Sequence, residues 1–314
     1  MNNNEILNEF ARILTENKQK LLINKAFKNM LEEAETRCRK GTIEYYIKVF
    51  KSMESWLKDN SILYIEDITK QILNNYIKYL KHVKKYKNNS INKHIEVIKH
   101  ITKYNYDNEL SAANHIANFK KLKNDNVETS FINNNQINMI INYLDNLNLN
   151  NIVTLRNVLS IYLMKDTGAR LNEILHIECN NINIEKSSIY LNFTKTGKPR
   201  KVYLSQRCIN LLKDYLSHFE LKGSKYLLIN FKTKEIVFKT TIYEFIEQIR
   251  KDLNIEISIS PHKWRHTLAS KLVNENVNIS IVQKVLGHAS LEITKRYLHA
   301  EEEHIQECVL NVIN

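Results

Sequence analysis

Residues 181–205 read NINIEKSSIYLNFTKTGKPRKVYLS. This stretch is rich in β-branched and aromatic residues, and apolar side chains alternate with polar ones, the period of a strand. Ile189-Tyr190-Leu191-Asn192-Phe193 and Arg200-Lys201-Val202-Tyr203-Leu204 fit paired strands around a turn region at Gly197–Pro199. On both sides of this stretch the period is that of helices. The expected fold is therefore mainly α with a small β-sheet.

Upstream, TIEYYIKVFKSMESWLK (42–58) spaces Ile43, Tyr46, Ile47, Phe50, Met53 and Leu57 three and four residues apart, an amphipathic stripe. DITKQILNNYIKYLKHV (67–83) repeats it, with Asp67 or Thr69 as N-cap, and SINKHIEVIKHITKYNY (90–106) repeats it again, with Ser90 as cap. An earlier helix is expected from about Gln19 to Arg37. The polar run KLKNDNVETSFINNNQ (121–136) is the linker candidate. Helical patterning resumes in NNQINMIINYLDNL (134–147) and TLRNVLSIYLMKDTGARLNEILHI (154–177). Beyond the strands, QRCINLLKDYLSHF (206–219), KTTIYEFIEQIRKDL (239–253) and the segment 260–299 are helical again. Two domains follow: 1–128, with an extra N-terminal segment at 1–38, and 129–314, with a tail helix at 300–314.

The 314 residues suffice for two domains, one of them with a sizeable core. Five glycines and two prolines disfavour a loop-rich or all-β chain. A net charge of +12 points to a polyanionic partner, although a basic soluble protein without one has the same charge. Between Lys78 and Lys103 there are eight lysines and one glutamate. Among them Lys81, Lys84, Lys85, Lys87 and Lys93 are candidate DNA phosphate contacts, and a solvated lysine face is the alternative. Cys38, Cys179, Cys208 and Cys308 are far apart and form no CxxC pair, so a reducing cytoplasm fits better than a disulfide framework. No signal-peptide pattern opens the chain and no apolar run approaches a membrane span.

SPHKWRHTLASKLVNENVNISIVQKVLGHASLEITKRYLH (260–299) concentrates His262, Arg265, His266, His288, Arg296, Tyr297 and His299. His262 and Arg265, three apart on a helix after Pro261, share a face. Gly287 ends the next helix, and His288 follows it directly. Ser290 can cap a helix carrying Tyr297, although a tyrosine on a helix is usually a packing residue. A zinc helix would need Glu after His262; Lys263 stands there, and no third ligand is near. The set suits attack on a phosphodiester instead. Arginine holds two phosphate oxygens, histidine moves a proton, and a tyrosine hydroxyl, of unperturbed pKa about 10, is a nucleophile when helped.

HKWRHTLAS, VLGHASLEITKRYLH and, upstream, TGARLNEIL resemble the tyrosine recombinase (phage integrase) family. Its signature is a G-x-R-x-x-E box, an H-x-x-R box, an L-G-H box and a tyrosine nine residues beyond that histidine, and all four occur here in order. The resemblance runs from about Asn135 to the C-terminus and extends more loosely to a helical DNA-binding domain at 42–123. The length resembles the Xer-like and transposon-type members. It implies a SAM-like core-binding domain ahead of an α+β catalytic domain.

By residue, the resemblance makes Arg170 and Arg265 phosphate clamps, His262 the general acid/base, His288 a phosphate donor and Tyr297 the nucleophile. Lys195 corresponds to the hairpin lysine that protonates the leaving 5′ oxygen, with Lys198 and Lys201 close by. Glu173 supports Arg170, or is a plain helix-face carboxylate. Trp264 and His266 are read as structural. Asn276 stands where the family often has Gly, and the family's NP turn before the linker is missing.

The resemblance further implies a site-specific recombinase of a bacterial or phage/mobile-element genome, working without metal, ATP or other cofactor. It acts through a 3′-phosphotyrosine and a Holliday junction, as a homo-tetramer on duplex DNA with an inverted-repeat core site. The tail 300–314 docks on a neighbouring protomer or folds back in cis. A partner recombinase or directionality factor is compatible with it. A type IB topoisomerase shares the chemistry, and a non-catalytic DNA-binding regulator is the rival of another class.

Overall fold

The computed structural model describes residues 20–125, 131–194, 197–218, 221, 223–288, 290, 292 and 294. The chain divides into two compact units, Met1–Val127 and Glu128–Asn314.

The first unit is helical: α1 (Ile23–Arg37), α2 (Lys40–Asp59), α3 (Lys70–His82) and α4 (Asn88–Asp107). Each helix turns one apolar stripe inward. Ala26, Met30, Met53, Leu73, Tyr76, Leu80, Ile91, Ile95, Ile98 and Ile101 form the core, and Phe27 stacks on Phe50 with ring centroids 3.8 Å apart. Thr69 caps α3, its hydroxyl accepting from Ile72 N. Ser90 does not cap α4. That helix begins at Asn88 after an extended Lys87, so Ser90 lies within its first turn. Two buried polar groups are satisfied locally. Asn105 donates to the carbonyls of Ala26 (2.8 Å) and Ile101 (2.9 Å), and Tyr76 Oη lies 2.8 Å from His94 Nδ1. Burial pushes the His94 pKa down to about 4, so the pair is neutral at pH 7.

Both described ends of the stretch 121–136 are tied to helices by side-chain hydrogen bonds. Asn92 Nδ2 donates to Leu122 O, and Asn88 Nδ2 donates to Lys123 O, each at 2.9 Å. At its other end Asn133 and Gln136 form a capping box that starts α5 (Asn134–Asp145).

The second unit is built around α6 (Ile152–Thr167), whose own Leu155, Val158, Leu159, Ile161, Leu163 and Met164, spread around the helix, are all buried. Around it lie α7 (Leu171–Leu175), α8 (Gln206–Ser217), α9 (Lys239–Asp252), α10 (Pro261–Asn274) and α11 (Ile279–Leu286). A three-stranded antiparallel sheet of order β1-β2-β3 joins them, with β1 at Ile182–Asn183, β2 at Ser188–Leu191 and β3 at Arg200–Tyr203. The register pairs Ile189 with Val202, Tyr190 with Lys201, and Leu191 with Arg200. The alternation read from the sequence is present, although Asn192, Phe193 and Leu204 lie outside the strands. Ile189, Leu191 and Val202 face the core, whereas Tyr190, Lys201 and Tyr203 face solvent. Arg200 falls on the inward face with Val202 and is buried. Among the described residues, no helix is long and apolar enough to cross a membrane.

Candidate active site

The site begins where α6 ends. Thr167 Oγ1 donates back to Leu163 O, and Gly168 leaves the helix in the left-handed conformation, φ +56°. A Cβ at Gly168 would stand 2.9 Å from a Leu286 methyl and 3.0 Å from a Leu268 methyl, so both conformation and packing require glycine. The turn delivers Arg170 as N-cap of α7. The carbonyl of Gly168 accepts from Arg265 Nη1 at 2.9 Å, which ties α10 to the turn.

Glu173 is the third residue of α7, in its first turn, with its side chain 2% exposed. Its Oε1 accepts from Arg170 Nη1 at 2.9 Å, and its Oε2 accepts from the Arg170 backbone N at 3.0 Å and from Arg200 Nη2 at 2.7 Å. Burial opposes the charge of this carboxylate. The hydrogen bond and charge of Arg200, followed by the bonds from Arg170, outweigh it and hold the pKa below the usual carboxylate value.

On α10, Ser260 caps the first turn and Pro261 opens it. Helical spacing then buries Trp264 and Arg265 and leaves His262 exposed. α11 ends at Gly287, φ +68°, and the next residue is His288. This turn is fixed from two sides. His288 N donates to Gln283 O at 3.1 Å, and Gln283 Nε2 donates to His288 O at 3.2 Å. His288 Nδ1 lies 2.8 Å from the buried Thr294 hydroxyl. Burial, then the charges of Arg265, Arg170, His266 and Arg200, push the His288 pKa down to about 4. The imidazole is therefore neutral at pH 7. The same dependence puts His288 within the field of all three arginines. Those three guanidinium groups stand against one carboxylate, so the cluster has a net positive charge suited to an anion.

Of the residues singled out in the sequence, Arg170, Glu173, Arg265 and His288 are brought together. His262 lies one turn ahead of Arg265 on the same helix. Lys195 and Tyr297 lie outside the described residues, as does the tail 300–314. His266, read as structural, stands near enough to His288 to oppose its protonation. Sequence reasoning missed Arg200 and Thr294. For Arg200 a signal existed, because strand alternation puts it on the face of Val202. Among the described residues, no three His, Cys, Asp or Glu side chains gather as a metal site.

Within the first unit, Lys81, Lys84, Lys85 and Lys87 occupy the end of α3 and the connection to α4, and Lys93 lies on α4. All five are exposed. Lys84 Nζ sits 5.7 Å from the centroid of the Tyr79 ring.

The phage integrase family matches residues 130–304, and the phage integrase SAM-like domain matches residues 22–107. The chain belongs to the phage integrase family. It is 29% identical over 157 residues to "Tyrosine recombinase XerA" of Pyrococcus furiosus, covering 49% of this chain and 54% of that protein. A "Probable integrase/recombinase" of Acholeplasma phage L2 is 27% identical over 288 residues, 91% of this chain and 96% of the relative. The chain spans only about half the length of this XerA and of "Tyrosine recombinase XerC" of Staphylococcus saprophyticus. Among solved structures, the Tn1549 transposon integrase in complex with transposon right end DNA shares the fold, with a TM-score of 0.75 at 13% identity, over 94% of this chain and all (100%) of that one.

Proposed function

We propose that the protein is a site-specific DNA recombinase that cuts and rejoins duplex DNA through a 3′-phosphotyrosine. The observation that carries this reading is the gathering of Arg170, held by Glu173, of Arg265, bonded to the Gly168 carbonyl, and of a neutral, buried His288 that both arginines influence. Such a cluster neutralises a phosphodiester and the extra charge that develops on its oxygens as it is attacked. Arg170 and Arg265 bind the non-bridging oxygens. With Thr294 donating to Nδ1, His288 carries its proton on Nε2 and donates to the phosphate. His262 takes the proton of the Tyr297 hydroxyl as its oxygen bonds to phosphorus, and Lys195 protonates the departing 5′ oxygen. The 5′-hydroxyl of a partner strand then attacks the phosphotyrosine and releases Tyr297. One phosphoester is exchanged for another, so the cycle requires neither ATP nor a metal.

Two exchanges, through a Holliday junction, recombine two inverted-repeat core sites, and two duplexes each cut once per round imply four protomers. The lysines Lys81, Lys84, Lys85, Lys87 and Lys93 contact phosphates of the core site. The tail 300–314 docks on a neighbouring protomer, and a partner recombinase or directionality factor fits the same scheme. The domains divide near 128/129, and the protein works in the cytoplasm of a bacterium on chromosomal, phage or transposon DNA.

The test is a nicked suicide duplex carrying the inverted repeats that flank the coding sequence. An SDS-stable adduct that joins a supplied 5′-hydroxyl strand from a second duplex is expected, and Tyr297→Phe should give none. An adduct that reseals only its own ends would instead indicate a topoisomerase. Tight binding with no adduct would indicate a DNA-binding regulator.

A further inference from the structure

Arg200 is a charged residue where the strand pattern calls for an apolar one. Its neighbour on the inward face, Val202, is 1% exposed, and Arg200 is 8% exposed. An aliphatic side chain would fill such a position without the desolvation a guanidinium suffers. The bonds of Arg200 lead to two other parts of the site. Nη2 donates to Glu173 Oε2 at 2.7 Å, and Nε donates to Val285 O at 3.0 Å, 85 residues along the chain. Nη1 is buried without a hydrogen-bond acceptor among the described residues. It lies against Gly287, where an added Cβ would stand 2.9 Å from it and 3.1 Å from Cδ and Cζ.

We propose that Arg200 is a positioning residue for the strand-cleavage reaction: through Glu173 it fixes the Arg170 guanidinium, and through Val285 and Gly287 it fixes the turn that presents His288. This rests on the recombinase reading above. Glu173 can hold Arg170 in one place only while its own second oxygen is held. That oxygen has two donors, the Arg170 backbone and Arg200. Without Arg200 a carboxylate buried to 2% loses its largest opposing charge, and the free energy that keeps it ionised and oriented falls. The Arg170 side chain, 21% exposed, then gains rotamer freedom at the point where a phosphate would be met. One guanidinium thus links β3, the G-x-R-x-x-E box and the L-G-H turn, and it acts on the reaction only through them.

The experiment compares wild type, Arg200→Gln, Arg200→Lys, Glu173→Gln and the Arg200→Gln/Glu173→Gln pair on the nicked suicide duplex. It reads the single-turnover cleavage rate at saturating protein and the Kd by anisotropy. Arg200→Gln should slow cleavage by roughly 30-fold or more while Kd moves by less than about threefold. Arg200→Lys, which restores a charge beside Glu173, should recover part of that loss. The pair should be no slower than the slower single variant, because both cut the same link. An unchanged rate, a Kd that weakens in step with the rate, or effects that multiply in the pair would overturn the proposal. If Arg200→Gln fails to unfold cooperatively, Arg200→Lys carries the comparison, with about fivefold slower cleavage expected at unchanged Kd; a wild-type rate there would overturn it. A wild-type protein that binds this DNA yet forms no Tyr297-dependent adduct would refute the recombinase reading and the proposal with it. Adduct formation undisturbed by Arg200→Gln refutes the positioning role alone.

Discussion

Gly287→Ala is the sharpest perturbation of this packing. Two costs add at this position. The backbone is left-handed, φ +68°, where an alanine Cβ meets its own carbonyl at about 1–2 kcal/mol. The new methyl would also stand 2.9 Å from Arg200 Nη1, in a side chain that cannot swing away without leaving Glu173 and Val285. Overpacking of this kind costs about 1–3 kcal/mol, so the total is roughly 2–5 kcal/mol. Gly223→Ala is the internal reference. Its φ is +77°, but no heavy atom lies within 4 Å of the new Cβ among the described residues, so only the backbone cost applies. The assay is urea unfolding followed by Trp264 fluorescence in a Trp56→Phe background. Trp264 is 1% exposed in the second unit, Trp56 belongs to the first, and the chain has two tryptophans. Gly287→Ala should destabilise the second unit by about 1–3 kcal/mol more than Gly223→Ala. Equal losses would refute the close approach of Arg200 to the L-G-H turn.

Further outcomes follow from the described structure. NMR titration, with His288 assigned by its loss in His288→Gln, should give an imidazole midpoint near 4 rather than 6.5. Because the folded pKa is the lower one, the unfolded chain binds more protons between these values, so stability is full above about pH 6.5 and falls as pH drops towards 4. A midpoint near 6.5 would contradict the buried, positively flanked setting. Glu173→Gln leaves two guanidinium groups without their carboxylate and should cost about 3–5 kcal/mol by urea unfolding of the second unit; a loss under about 1 kcal/mol would mean the pair is effectively solvent-screened. Replacing Lys81, Lys84, Lys85, Lys87 and Lys93 by Gln should flatten the slope of log Kd against log salt by up to about 4.5, and an unchanged slope would make them a solvated face.

Local patterns were legible in the sequence wherever a single element determined the outcome. The change of period at 181–205 marked the sheet, and Thr69 was readable as a cap because a helical stripe begins directly after it. Ser90 misled because Ser is favoured at N-caps, whereas the chain turns three residues earlier at an extended Lys87. The Asn133–Gln136 capping box has the spacing N-x-x-Q, but it lies at the end of the polar run that reads as a linker. The boxes containing Arg170, Arg265 and His288 could be found because each has its own short spacing. What joins them could not, since spacing carries no information about contacts between remote segments. The Arg265 bond to Gly168 spans 97 residues, and that of Arg200 to Val285 spans 85. Arg200 was hidden for a further reason. A hairpin arginine is ordinarily solvated, so its charge argues against the inward position that alternation with Val202 gives it.

In the proposed reaction Tyr297 joins DNA through a 3′-phosphate while the arginine–histidine cluster holds that phosphate. The most direct measurement is tandem mass spectrometry of the nuclease- and protease-trimmed adduct from the suicide duplex. A nucleotide 3′-phosphate on the Tyr297 side chain is the expected result, with no such peptide from Tyr297→Phe. A nucleotide carried by any other residue, or attached through its 5′-phosphate, would contradict the account.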